Sequence, residues 1–454
     1  MDTLQINIIS GEESTIYLPK QLKHLGEITH VAFGTISCKC RMKLTDSEEK
    51  ILTISEDLYT TLKLPNNSTT YLIVHENTLY LGPLVGIFTA GFTDSLLRPI
   101  GERSIFFSKL LSAEKAVGAI PFVFGAHHID WENGLITGLF YLKDGWKKIE
   151  VPFPNVIYDR LPNRRIENHQ ALKKVKEKLT QEYLIPWFNP GFFDKWEIHQ
   201  LLMNVDNVSS FLPETHKNPN FALIETMLSK YQHVYLKPAN GSLGLGVFQI
   251  IYSREEEAYY CRFKDVETQK NRLQKYSSLE ALINFLFRKK QLKHYIVQQG
   301  ITLLRTDHKT IDFRVHTNKN KEGKWQLSVI AGKIAGRGSV TTHINSGGVV
   351  KTLDEIFTDT KECQEITQKL AHTALALSKA IDSKIVGTIG EIGFDLGIDK
   401  QGNIWVFEAN SKPGRSIFAH PRLRENDLLT RKLFLQYAIH LTETTIKKPE
   451  EVHQ

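Results

Sequence analysis

The most informative stretch of the chain is EIGFDLGIDKQGNIWVFEANSKPG, which runs from Glu391 to Gly414. In its first half, apolar residues alternate with acidic residues and glycines, the period-two pattern of a half-buried strand. This alternation predicts that Glu391, Asp395 and Asp399 share one open face. The KQGN that follows, residues 400–403, is a suitable four-residue hairpin loop. The segment is therefore predicted to be a β-hairpin with an acidic face.

The same hairpin predicts a metal site. With this loop, Asp395 lies directly opposite Glu408, and Asn410 extends the face one pleat further. Opposed carboxylates have Cβ atoms about 5 Å apart, a repulsive arrangement that a bound divalent cation relieves. Two carboxylates, an amide oxygen and the phosphate oxygens of a nucleotide would suit magnesium. The alternative is a solvated hairpin face with incidental acids, but the cationic, glycine-containing turn at 411–415 favours the metal site.

A second motif, YLKPANGSLGLGV, occupies residues 235–247. Lys237 ends a predicted strand, and Pro238 prevents that strand from continuing as a regular ladder. The glycines that follow would let backbone amides approach anionic oxygens without side-chain obstruction. The order differs from a P-loop, which places its lysine after the glycines, and from a Rossmann GxGxxG. A glycine-rich hairpin loop without a ligand is the alternative.

Two further segments lie between these motifs. HYIVQQGI, residues 294–301, is a predicted strand that runs into a hinge, whose backbone could contact an adenine edge. TIDFRVH, residues 310–316, places Arg314 on one strand face with Asp312 and His316, and the next strand supplies Lys333. Arginine and lysine could neutralise a transferring phosphoryl group or bind a carboxylate. Taken singly, each is better interpreted as a surface ion-pair partner.

The composition is that of a folded protein with two or three domains. The chain has 454 residues, 41% of them hydrophobic and 24% charged, which argues against disorder. A formal net charge of +7 is compatible with phosphate-bearing or acidic ligands, but no motif points to nucleic acid. The four cysteines are too few for a disulfide framework. No apolar stretch is long enough to span a membrane and no signal pattern is present, so we expect a cytoplasmic protein without a membrane partner.

The pattern along the chain predicts an α+β protein with three parts. Residues 1–86 contain short alternating runs typical of a β-rich domain, and helical and buried-strand patterns follow at 87–204. The chemistry-bearing motifs lie in 205–454. There the sequence predicts strands at 233–238, 247–252, 294–299, 311–317 and 325–333, and helices at 219–230, 277–289 and 362–383.

In their order, these elements resemble the ATP-grasp fold over residues 205–445. The segments LGPLVGI (81–87), NPGFFDKWEIHQLL (189–202), LPET (212–215), KPANGSLGLGV and FEANSKPGRS are similar to YheC/YheD-type ATP-grasp proteins, described as endospore coat-associated. The resemblance implies a small β-rich N-terminal domain, an α/β pre-ATP-grasp domain and a C-terminal ATP-grasp fold. It also implies an association with the spore coat.

The resemblance also assigns roles to individual positions. Residues that would contact ATP are Lys195, Lys237, Gly241, Ser242, Gly244, Gly246, Gln298, Gln299 and Ile301. Asp395, Glu408 and Asn410 would hold one or two magnesium ions. Arg314 and Lys333 would stabilise the transferred phosphate or an acyl phosphate. The hinge departs from the family pattern, because many ATP-grasp enzymes have a glutamate where this chain has Gln298 and Gln299.

The activity implied is the ATP-dependent ligation of a carboxylate, on a small molecule or peptide, to an amine-like acceptor. Such chemistry needs positioning and charge neutralisation, not a serine or cysteine nucleophile. Two alternatives stay open: a kinase acting on a non-carboxylate acceptor, and a spore-coat scaffold that keeps the fold without catalysis. The three predicted metal ligands argue against the scaffold, which has no need for opposed acids. The acceptor is not specified by the sequence.

Overall fold

The computed structural model describes residues 3–65, 69–239, 246–265, 267–288, 291–342 and 347–451. The N-terminal part forms two small sheets, with strand orders β5-β2-β6-β1-β7 and β4-β3-β9-β8. Buried apolar side chains alternate with more exposed residues along β6 and β9, as the sequence pattern predicts, whereas β2 and β3 are buried almost throughout. The elements are β1 (Leu4–Ile9), β2 (Thr15–Pro19), β3 (His30–Phe33), β4 (Ile36–Lys39), β5 (Arg41–Thr45), β6 (Ile51–Ser55), α1 (Glu56–Thr61), β7 (Thr69–Thr70), β8 (Leu72–His75) and β9 (Thr78–Leu81).

The middle part is a mixed sheet of order β12-β13-β11-β10-β15-β16, with β14 paired to β13. Its elements are β10 (Leu84–Phe88), α2 (Ser104–Leu111), α3 (Glu114–Val117), β11 (Ile120–Phe124), β12 (Ile129–Asp130), β13 (Leu135–Leu142), β14 (Gly145–Pro152), β15 (Val156–Asp159), α4 (Arg164–Glu167), α5 (Gln170–Glu177) and β16 (Trp187–Phe188). Every residue of β10, β11 and β15 is buried. These strands are parallel and covered on both faces, which explains their continuous apolar runs.

The third part is an antiparallel sheet of order β17-β22-β18-β19-β20-β21. Helices α8 and α9 pack their apolar side chains against this sheet. The elements are α6 (Lys195–Met203), α7 (Asp206–Ser209), β17 (Thr215–Lys217), α8 (Phe221–Tyr231), β18 (His233–Pro238), β19 (Phe248–Ser253), β20 (Ala258–Lys264), β21 (Asn271–Tyr276), α9 (Leu279–Phe287) and β22 (Tyr295–Gln299).

The last part is a second antiparallel sheet, β26-β25-β24-β27-β28, with β23 paired to β24. Its elements are β23 (Arg305–Thr306), β24 (Lys309–Lys319), β25 (Trp325–Ile334), β26 (Val349–Lys351), α10 (Leu353–Ile356), α11 (Thr360–Asp382), β27 (Glu391–Ile398), β28 (Ile404–Asn410) and α12 (Arg424–Lys447). The apolar stripe of α11 packs on this sheet, whereas α12 lies between this sheet and the middle part and contributes its apolar side chains to the middle core. The predicted strands and helices of this part and of the third are confirmed to within three residues at each end.

The predicted hairpin is present, but its predicted loop is wrong. Ile398 pairs with Ile404, so the loop has five residues, and a β-bulge at Phe407 then shifts the register by one. The two displacements cancel, and the predicted pairing of Asp395 with Glu408 is confirmed.

The prediction of an open acidic face is also wrong. Glu391 and Asp399 are only 4% and 7% exposed. The middle part covers Glu391, which accepts hydrogen bonds from Tyr158 and Arg160. Asp399 closes the hairpin loop by accepting hydrogen bonds from the amides of residues 401 and 403. Only the centre of the predicted face, at Asp395, lines a cavity.

The division into three domains stays a prediction. Helix α6 precedes the predicted boundary near residue 205, yet Ile198 and Leu202 belong to the same core as α11 and β27. Within the described residues, no helix combines the length and apolar character needed to cross a membrane.

Candidate functional site

The two antiparallel sheets and the middle part enclose a cavity of about 1340 Å³. Its lining includes many of the residues that the sequence singles out: Lys195, Lys237, Gln298, Ile301, Arg314, Lys333, Asp395, Glu408 and Asn410. They come from α6, from the third-part sheet and from the last sheet. The fold therefore gathers side chains that are up to about two hundred positions apart in sequence.

A row of charges crosses four strands of the last sheet. Lys333 on β25 pairs with Asp312 on β24, Arg314 on β24 pairs with Asp395 on β27, and Asp395 pairs with Glu408 on β28. We call these five residues the charge ladder. Directly opposed side chains on neighbouring strands are close enough to interact, so the register itself brings the charges together.

Asp395 is the most strongly held acid of the charge ladder. Arg314 donates two hydrogen bonds to its carboxylate, from Nε (3.0 Å) and Nη2 (3.2 Å), and Lys333 Nζ donates a third at 2.7 Å. Burial alone would raise the pKa of Asp395, but Arg314 and Lys333 outweigh burial and hold that pKa below its usual value. Asp395 is therefore ionised.

Asp312 has the opposite tendency. Its Oδ2 accepts a hydrogen bond of 2.5 Å from Thr342, and its Oδ1 lies 3.0 Å from Lys333 Nζ. The second contact is an ion pair without hydrogen-bond geometry, since no described donor is aligned with that oxygen. Burial raises the pKa of Asp312, and the negative charge of Asp395 adds to the increase against the effect of Lys333. Lys333 thus contacts two carboxylates whose pKa values are shifted in opposite directions.

Glu408 faces Lys195, whose Nζ lies 3.1 Å from Glu408 Oε1. Lys195 is the first residue of α6, and Asp194 caps that helix by accepting hydrogen bonds from the amides of Trp196 and Glu197. The cap fixes where α6 begins. It thereby places Lys195 over the end of β28.

Lys237 lies at the far end of β18, with its Nζ 2.5 Å from Gln298 Oε1 and 5.5 Å from the centre of the Phe407 ring. Burial, reinforced by Lys195, lowers the pKa of Lys237 to about 8, although Glu408 and Asp395 oppose this. No carboxylate forms an ion pair with Lys237 in the described part of the chain. This cation therefore lacks a direct counter-charge from the protein.

Only some of the residues predicted to contact adenine or to form the glycine loop line the cavity. Gln298 and Ile301 line it, but Gln299 does not, because neighbouring strand residues face opposite sides. The side chain of Gln299 instead accepts a hydrogen bond from the amide of Glu214 (3.1 Å). Gly246 has a φ of +72°, a conformation that favours glycine. The predicted residues Gly241, Ser242 and Gly244 lie outside the described residues.

The predicted metal ligands fit a divalent cation in their chemistry. Asp395, Glu408 and Asn410 offer carboxylate and amide oxygens at paired positions of β27 and β28, the donor type that Mg²⁺ prefers. Both carboxylates already attract positive charge, from Lys333 and Lys195 respectively. Over the residues that the structure describes, no cluster of three or more His, Cys, Asp or Glu is arranged to hold a metal. Phosphate oxygens of a bound nucleotide would complete the coordination.

The sequence did not predict the part of the cavity that the middle region contributes. Arg103, Arg160 and Arg164 line it, together with Arg415 from the turn after β28. The available signal was weak: Arg160 directly follows the buried strand β15, and strand ends in α/β sheets often carry binding residues. The sequence predicted a cationic turn at 411–415 beside the hairpin, which contains Arg415, but it did not place Arg103, Arg160 or Arg164 there.

Comparisons with known proteins agree with this architecture. Residues 184–441 match a family model described as YheC/D like ATP-grasp. The chain is 45% identical over 451 residues to the endospore coat-associated protein YheD of Bacillus subtilis (strain 168), covering 98% of this chain and 97% of that protein. It is 27% identical over 278 residues to YheC of the same organism, covering 60% of this chain and 73% of YheC.

Among solved structures, the D-alanine-D-alanine ligase from Coxiella burnetii aligns with a TM-score of 0.45 at 12% identity. The alignment covers 81% of this chain and 99% of the ligase. A structural likeness at this level does not bear on function. The family match and the near full-length relative do establish the relationship, and the chain belongs to the YheC/D-like ATP-grasp family.

Proposed function

We propose that this protein is a magnesium- and ATP-dependent ligase that activates a carboxylate as an acyl phosphate and joins it to an amine. One observation carries the proposal: the opposed carboxylates Asp395 and Glu408 lie in one cavity with Lys195, Lys237, Arg314 and Lys333. With Asp312, which also lines the cavity, three acids and these four cations leave the region with a positive excess. Such an excess suits a polyanionic nucleotide with its metal ion.

We assign a role to each of these residues. Lys195 and Lys237 would bind the phosphates of ATP, and Gln298 and Ile301 would contact the adenine. Asp395, Glu408 and Asn410 would hold Mg²⁺, which neutralises phosphate charge when bound. Arg314 and Lys333 would stabilise the negative charge of the phosphoryl group during transfer.

The reaction proceeds in two balanced steps. A substrate carboxylate oxygen attacks the γ-phosphorus, the bond from that phosphorus to the β–γ bridging oxygen breaks, and ADP leaves with its electrons. The amine nitrogen then attacks the carbonyl carbon of the acyl phosphate, and the bond from that carbon to the phosphate oxygen breaks. Phosphate departs with the electron pair, and the proton lost by the amine passes to it.

Nucleotide binding is tested by calorimetric titration of the protein with ATP and Mg²⁺. We expect 1:1 binding by the wild type and a loss of at least about 10-fold in affinity for Glu408→Gln, because a charged ligand contact is removed. Glu280→Gln, at an exposed position of α9, is the matched control and should bind like the wild type. No binding by the wild type, or unchanged binding by Glu408→Gln, would contradict the assignment.

Ligation is tested by ADP release with each standard amino acid as the carboxylate and hydroxylamine as the amine. A ligase yields a hydroxamate in proportion to ADP. A kinase of a non-carboxylate acceptor would instead accumulate a stable phosphorylated product without hydroxamate, and a scaffold would release no ADP. The names of the relatives support an association with the endospore coat, which we include in the proposal.

A further inference from the structure

The part of the cavity surface that does not belong to the charge ladder is rich in arginine. We call this surface the arginine wall; its members are Arg103, Arg160, Arg164, Arg165 and Arg415. Four of them belong to the middle part of the fold, where they precede α2 or follow β15. None of them belongs to the proposed nucleotide-binding set. The proposed nucleotide site therefore leaves the arginine wall without an assigned ligand.

Arg103 has only neutral hydrogen-bond partners in the described part of the chain. Its Nη1 donates to Thr89 Oγ1 (2.8 Å) and its Nη2 donates to the backbone oxygen of Arg160 (2.6 Å), which are both neutral acceptors. No carboxylate pairs with Arg103 among the described residues. A guanidinium has five N–H donors, so donors remain after these two bonds. Burial, together with the nearby charge of Arg160, lowers the pKa of Arg103 to about 10.

The other members do not neutralise this excess. Arg160 pairs with Glu391 at 3.0 Å, and Arg415 pairs with Asp427 at 2.6 Å. Asp427 also forms an ion pair with Arg431, so one carboxylate is paired with two guanidinium groups. Arg164 donates to the backbone oxygen of Phe193 (2.6 Å), again a neutral acceptor. The arginine wall therefore carries more positive charge than the protein compensates.

Aromatic rings support these guanidinium groups. Arg103 lies 4.8 Å from the Phe107 ring centre, Arg160 lies 5.0 Å from that of Phe106, and Arg164 lies 5.6 Å from that of Phe192. A guanidinium held by a ring keeps its N–H edge available for a planar anion. Carboxylates match that edge with two parallel hydrogen bonds.

The cavity has room for a second ligand beside a nucleotide. Sites for one small molecule usually measure about 300–1,000 Å³, and this cavity is larger, at about 1340 Å³. The arginine wall also reaches the charge ladder: the Arg415 guanidinium lies 4.6 Å from the Phe418 ring centre, and the Phe418 and His316 ring centres are 5.7 Å apart. His316 lies two residues after Arg314 on β24, so the two side chains share one face of the strand. A molecule on the arginine wall would thus lie next to the groups that handle phosphate.

We propose that the arginine wall binds carboxylates of the substrate that is ligated, so that this substrate carries at least two carboxylates, as in glutamate or a glutamate-rich peptide. One carboxylate is held by Arg103 and Arg164 while another is presented to Arg314 and Lys333. This inference rests on the proposed ligase function and names its substrate class.

The test is calorimetric binding of triglutamate to the protein saturated with a non-hydrolysable ATP analogue and Mg²⁺. Triglutamine, which has the same charged termini but neutral side chains, is the matched control. We expect 1:1 binding of triglutamate at least about 10-fold tighter than that of triglutamine, and a loss of about 10- to 100-fold in Arg103→Ala. Arg254→Ala, at an exposed turn outside the cavity, controls for the overall basic charge and should bind like the wild type. Arg164→Ala replaces Arg103→Ala if the latter does not fold.

Further binding measurements distinguish an amino-acid substrate from a peptide substrate. Binding of free glutamate as tight as that of triglutamate supports an amino-acid substrate, and weaker binding supports a peptide. Equal binding of triglutamate and triglutamine overturns the inference, as does wild-type affinity in both arginine variants. Binding of tripolyphosphate without any binding of triglutamate also overturns it. If the ATP analogue itself does not bind, the proposed function fails; if it binds and triglutamate does not, only this inference fails.

Discussion

Arg314 and Asp395 occupy directly opposed positions on β24 and β27, and the guanidinium holds both oxygens of the carboxylate. The pair lies in the middle of the charge ladder, so the sheet register alone places a cation beside the proposed metal ligand. Arg314 Nη1 is buried without a hydrogen-bond acceptor in the described chain. A buried donor without a partner is costly, and an incoming anion would satisfy it.

Replacing Lys333 by methionine should strongly destabilise the protein. The change leaves Asp312 and Asp395 buried without the cation that contacts both. Removing one partner of a buried ionic group typically costs about 3–5 kcal/mol in the free energy of unfolding. Urea denaturation near pH 7 measures this loss. Lys324→Met, at an exposed position just before β25, is the control and should change stability by less than about 0.5 kcal/mol.

The loss in Lys333→Met should also depend on pH. Without the lysine, the already raised pKa of Asp312 rises further above its value in the unfolded chain. A carboxyl with a raised pKa destabilises the fold when ionised, so the deficit is full at high pH and shrinks as the pH falls through the raised pKa. A deficit that grows on acidification would show that Asp312 is not the residue responsible.

ATP affinity should fall as the pH rises through about 8, the pKa to which burial, with Lys195, lowers Lys237. Below this pH the ammonium is charged and attracts phosphate. Above it the neutral amine loses about 10-fold in affinity. Because a bound anion raises the pKa of Lys237, binding near pH 8 should take up protons. Titrations in buffers of different ionisation enthalpy measure this uptake.

Lys237→Arg is the control for this titration. A guanidinium stays charged over the whole range, so the variant should bind ATP without proton uptake near pH 8. The other charged groups that act on Lys237 are Lys195, Glu408, Asp395 and Asp312. Proton uptake that persists in Lys237→Arg would assign the titration to one of these groups.

Gly393→Ala should damage the site, because the added Cβ would lie 2.5 Å from Pro413 Cβ and 3.3 Å from Arg314 Nη1. Overpacking of this kind costs about 1–3 kcal/mol and would displace Arg314, which weakens ATP binding as well. Gly414→Ala is a close control, since no heavy atom lies within 4 Å of its added Cβ. Equal urea midpoints for the two variants would refute the steric argument.

Asn189 should be essential for joining the middle part to the hairpin. Its buried side chain accepts a hydrogen bond from the amide of Gly390 (2.8 Å) and donates to the backbone oxygens of Glu391 (2.8 Å) and Ser411. Asn189→Ala leaves these buried groups without partners, which should cost about 2–4 kcal/mol in urea denaturation. Asn189→Gly loses the same bonds but relieves the strain of a φ of +53°. It should therefore be more stable than Asn189→Ala.

Local patterns predicted β24, β27 and α11 well, because the two strands alternate in sequence and α11 has one apolar stripe. They could not predict which face of a strand meets a cavity, and for this reason Gln299 was paired with Gln298 although the two side chains point apart. Burial of Glu391 was missed because its cover comes from Tyr158 and Arg160, more than two hundred residues earlier. The four members of the arginine wall that come from the middle part, Arg103, Arg160, Arg164 and Arg165, were missed for the same reason.

The bulge at Phe407 has a consequence for how such a hairpin can vary. A four-residue loop without a bulge and a five-residue loop with one both bring Asp395 opposite Glu408, so two different backbones support one arrangement of carboxylates. Deleting Phe407 would remove the bulge and bring Glu408 directly after Val406, still opposite Asp395. Relatives whose hairpin has the same length but no bulge should therefore have a four-residue loop.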